Sequence, residues 1–148
     1  MRNRIAAIIL AALFILLVGC GDKMPTWKVE SEQENGIYVL LPETEQKDWQ
    51  WYCNVDITTG QILSINLIYP ESFGNPTETV CKVDGKNASI KKEIGEQDGG
   101  AVIFYTLSVE ELSLESDKKI TITQNFQKKR VKLSFMPSMV ADAFDREY

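Results

Sequence analysis

The chain has 148 residues, a formal charge of −5 and no histidine. The missing imidazole excludes a His-activated serine or cysteine nucleophile, a His-ligated zinc site and a His pH switch. With 44% hydrophobic and 25% charged residues the balance is globular, and its acidity argues against nucleic acid as a partner.

Arg2 and Arg4 make a short cationic start, and Ile5 to Val18 then runs without a polar side chain. A charged start, an apolar run and a small residue before a cut are the layout of a secretory signal. Fourteen apolar residues at ~1.5 Å each span roughly 21 Å, short of the ~30 Å hydrocarbon core. A short uncleaved membrane anchor is the other reading of that run. Leu17, Val18, Gly19 and Cys20 together resemble the lipobox of bacterial lipoproteins. The resemblance implies that residues 1–19 are a signal peptide and that Cys20, carrying a diacylglyceryl group, becomes the mature N-terminus. Two or more acyl chains hold a membrane firmly where one does not. The expected place is therefore the cell membrane or the outer membrane, facing the periplasm or the exterior. Gly21 replaces the aspartate that often retains such proteins in an inner membrane, which favours the outer one in a two-membrane host. Loss of the leader leaves 14 basic against 21 acidic residues, a charge of −7.

Residues 20–26 read as a lipidated tether, and 27–148 as a single β-rich domain. Strands are expected at 36–41, 49–57, 62–69, 101–107, 118–125 and 129–136, from period-two alternation between regularly spaced breakers. Trp49, Trp51, Cys53, Val55 and Ile57 share one face of the second, and Leu63, Ile65, Leu67 and Tyr69 one face of the third. A three-residue loop, Thr58 to Gly60, pairs Val55 with Leu63, Cys53 with Ile65 and Trp51 with Leu67. It keeps both apolar faces on one side and needs a left-handed residue at Gly60. Asp84 and Gly85 signal a type I′ hairpin that pairs Val83 with Lys86 and Cys81 with Ala88. Ser108 and Glu111 fit a capping box opening a short helix, and apolar spacing after Pro137 predicts a second one. The fold class is all-β and mainly antiparallel: a β-sandwich or flattened barrel with a short C-terminal helix.

Cys53 and Cys81 remain once Cys20 is lipidated. A disulfide in an oxidising compartment and two buried thiols acting as small apolar side chains are the two readings. No Cys-x-x-Cys motif, Gly-x-Ser-x-Gly elbow or phosphate-cradling glycine loop occurs, and the carboxylates are scattered. No enzyme, cofactor or metal is expected. Lys128, Lys129 and Arg130 form the one basic cluster in sequence. Their two readings are a hairpin tip that resists edge pairing and a contact with lipid headgroups or an anionic polymer.

Tyr52, Cys53 and Asn54, the strand 62–69, the turn 83–86 and Gly99, Gly100 and Tyr105 together resemble the membrane-bound lysozyme inhibitors over residues 50–106. Those are short lipoproteins with a small β-barrel. That likeness implies a binding site at Gly99, Gly100 and Tyr105, which approximate the family's inhibitory loop with altered spacing. Residues 80–146 are also similar to the invasion-associated locus B family, extracytoplasmic β-proteins. The expected function is a non-enzymatic, lipid-anchored envelope module that binds an envelope protein or a cell-wall component. Inhibition of lysozyme-type cell-wall hydrolases is the alternative.

Overall fold

Alternating apolar residues bring the chain into two antiparallel sheets that share one core. The computed structural model describes residues 23–97 and 99–147. The expected signal peptide (1–19), Cys20 and the first part of the expected tether lie outside the described residues. The larger sheet runs β1 (Trp27–Glu32), β2 (Ile37–Pro42), β3 (Gln50–Asp56), β4 (Gln61–Tyr69), β8 (Gly100–Thr106), β7 (Lys91–Gln97). The smaller runs β10 (Arg130–Phe135), β9 (Ile120–Phe126), β5 (Pro76–Val83), β6 (Lys86–Asn87). Neither closes on itself, so the arrangement is a β-sandwich rather than a barrel. A C-terminal helix, α1 (Pro137–Glu147), packs beside β1. Among the described residues no helix is long and apolar enough to cross a membrane.

Six strands fall where alternation puts them; β1 and β7 do not. β1 carries charges at three of its six positions and β7 at four of its seven, as edge strands do to resist pairing with another chain, so neither shows a clean apolar period. Trp27 nevertheless is buried, with its ring centroid 5.1 Å from that of Phe135, and it ties the edge of the large sheet to the end of β10.

The β3–β4 hairpin holds the expected pairs Trp51–Leu67 and Cys53–Ile65 but departs from them near its turn. Val55 pairs with Ile62 rather than Leu63, across a bulge. The extra residue reverses the alternation, so Ile62 is buried and Leu63 is exposed. The turn has four residues, because the Asp56 side chain accepts the N–H groups of Thr58 (2.9 Å) and Thr59 (3.2 Å). Ile57 is thereby left outside the core, whereas Gly60 does take the left-handed conformation. The Asp84–Gly85 turn also forms as expected, with both residues at positive φ and Val83 paired to Lys86. A hydrogen bond from Ala88 N to Cys81 O extends that hairpin.

The helix expected at Ser108 is a single turn. Glu111 accepts from Ser108 Oγ (2.7 Å) and Ser108 N (3.3 Å), as a capping box would. Two competing contacts end it: Leu112 is buried, and its carbonyl accepts from Ile62 N. Tertiary burial outweighs one turn of local helix.

Candidate functional site

The three residues expected to form one site are separated. Gly99 and Gly100 lie at the β7–β8 turn, where they edge an open cleft of about 380 Å³ with Trp49, Tyr69 and Gln97. Tyr105 points the other way and is fully buried in the core. Its hydroxyl donates to Gln124 Oε1 at 2.7 Å, and its ring lies 5.9 Å from that of Trp51. Burial, and secondarily the neighbouring Tyr69, holds its phenol protonated far above the usual range. Tyr105 is thus a core residue and not a contact residue. Tyr105 falls in phase with Ile103, but Val102 on the opposite phase is equally buried, so what packs over each face of β8 decides its burial.

Gln124 is the polar centre of that core. Its Oε1 accepts from Thr79 (2.5 Å) as well as Tyr105, and its Nε2 donates to the carbonyls of Glu78 (2.7 Å) and Asn125 (3.3 Å). A buried amide with every partner made fixes the relation of β5, β8 and β9 instead of weakening it.

Cys53 and Cys81 are both free and buried, one in each sheet. The bridge is not formed, and each thiol packs as a small apolar side chain. Burial pushes the Cys81 thiol up to about 11, with the Glu111 charge adding to the shift, and raises that of Cys53 further. Neither is a nucleophile at neutral pH.

Trp49 is only partly buried, at the tip of the sandwich instead of within it, and Lys129 Nζ sits 4.7 Å from its ring centroid. Lys129 also approaches Asp48 at 4.0 Å. Among the described residues no group of three or more Cys, Asp or Glu is placed to hold a metal ion.

The feature hidden in the sequence lies on the outer face of the small sheet. Residues 76–87 and 118–135 carry eight Lys or Arg and two Asp or Glu, a formal +6. The rest of the chain after residue 19 carries six basic and nineteen acidic residues, a formal −13. An open trough of about 510 Å³ crosses the face, with Lys82, Lys119, Arg130 and Lys132 along it and Thr121 and Thr123 in its floor. Register explains the convergence. Lys82 pairs with Thr121 and Val80 with Thr123 on one side of β9, while Lys132 pairs with Thr123 on the other. The single acid on the trough, Glu78, accepts a 2.7 Å hydrogen bond from Asn125. Arg130 and Lys132 show their two-residue spacing in the sequence, but Lys82 on β5 is about fifty residues upstream, and only the pairing of β5 with β9 adds it.

No protein-family model, no curated protein and no solved structure matches this chain.

Proposed function

We propose that this chain is a lipid-anchored, extracytoplasmic envelope protein whose β-sandwich is a non-enzymatic binding module. The anchor rests on the lipobox-like Leu17–Cys20 stretch behind its apolar run. The binding role rests on one observation: in a strongly acidic chain, Lys82, Lys119, Arg130 and Lys132 line one trough on the small sheet with a single acid, Glu78, beside them. Like charges so crowded repel one another and oppose folding, and a ligand of opposite sign offsets that cost. Inhibition of a cell-wall hydrolase would have to work from Gly99 and Gly100 without Tyr105, because that side chain is in the core. Cys20→Ala should abolish lipid labelling and release the protein from the membrane fraction; retained labelling overturns the anchor. Crosslinking in intact cells should recover a specific envelope partner, and repeated recovery of none overturns the module.

A further inference from the structure

We infer that the trough on the small sheet binds a linear phosphate-bearing polyanion whose units carry no aromatic base. This deepens the binding-module reading and rests on it. Lys82, Lys119, Arg130 and Lys132 stand along an open channel, and cations so arranged match a chain of repeated negative charge better than a single ion. Thr121 and Thr123 line the floor between them, and the Thr121 hydroxyl, 3.0 Å from Ser134 Oγ, can accept from that serine and turn its own proton to a phosphate oxygen. The channel has no aromatic side chain along it. Proteins that hold single-stranded nucleic acid add aromatic platforms on which bases stack, so the face fits a polymer without bases.

A flat anionic membrane is the less fitting occupant. The cations of this face line a concave trough instead of a protruding surface, so a flat bilayer reaches its rim where a flexible chain can lie along its floor.

The full-length protein, carried in nanodiscs of neutral lipid, is titrated with fluorescent poly(glycerol phosphate), single-stranded oligo(dT) and phosphatidylglycerol vesicles. The polymer should bind tightest. Its log affinity should fall with log salt at a slope of about −3, as four neutralised phosphates require. Lys82→Glu with Lys132→Glu should weaken binding at least tenfold and roughly halve the slope. Lys91→Glu with Lys92→Glu makes the same charge change on β7 of the other sheet and should cost less than twofold. Should the glutamate pair fail to fold, Lys82→Ala with Lys132→Ala removes the same two contacts and should itself roughly halve the slope. Equal losses from the two pairs would reduce the effect to bulk charge and overturn the site. Tighter binding of oligo(dT) or of the vesicles overturns the ligand class, as does no binding of the polymer at low salt. A crosslinked envelope protein recovered alongside any of these results leaves the binding module standing and removes only this ligand.

Discussion

Cys81 illustrates how one buried residue links stability to pH. Its unfolded thiol titrates near 9.0, while burial and then the Glu111 charge raise it to about 11 in the native protein. The folded state therefore holds a proton that the unfolded state releases. This contribution is complete below pH 9 and is lost as pH rises from 9 to 11. Urea titrations at stepped pH should show stability declining across that interval, and Cys81→Ala should flatten the decline. Thiol reagents should modify Cys53 and Cys81 only after denaturation, at any pH below 9. Gln124 predicts a larger effect. Gln124→Leu orphans the buried hydroxyl of Tyr105 and should cost about 2–3 kcal/mol, whereas Tyr105→Phe should cost only about 1 kcal/mol. Thermal unfolding of both variants checks the asymmetry. At this scale the sequence marks Trp51, Cys53 and Val55 correctly as core, because strict alternation is a property of neighbours. It misplaces Tyr105, whose face depends on which strand packs above it.

The β3–β4 hairpin shows where element-level reading stops. Pairing far from the turn follows from alternation, but a one-residue bulge near the turn exchanges the roles of Ile62 and Leu63. Ile62→Ala should therefore cost about 2–4 kcal/mol and Leu63→Ala less than about 0.5 kcal/mol, the reverse of an unbulged hairpin. Chemical denaturation distinguishes the two. The bulge has causes distant in sequence. Ile62 N donates to Leu112 O and Gln61 bridges Ser113, so the loop between β8 and β9 holds the start of β4 in place. The same contact ends the turn begun at Ser108. The edge strands β1 and β7 leave little signal for a related reason. They gain their pairing from β2 and β8, and their own side chains serve mainly to keep other chains off.

For the whole molecule, the decisive property is the separation of charge between the segments that build the small sheet and the rest of the chain. Trp27 holds the start of β1 to the sandwich: its ring meets Phe135, and its carbonyl accepts from Arg146 Nη2 at 3.1 Å. Trp27→Ala should cost about 3–5 kcal/mol and loosen β1 together with α1, which hydrogen exchange reports as lost protection in both elements. Short-range pattern alone determines the composition class, the absence of histidine chemistry, the antiparallel all-β character and the Asp84–Gly85 turn. Each of these depends on residues a few positions apart. The tertiary structure decides that Gly100 and Tyr105 part company, that Cys53 and Cys81 stay unbonded in separate sheets, and that Lys82 joins Arg130 and Lys132. Those outcomes turn on the order of strands across a sheet, which hydrogen bonding between distant segments sets and local sequence does not encode.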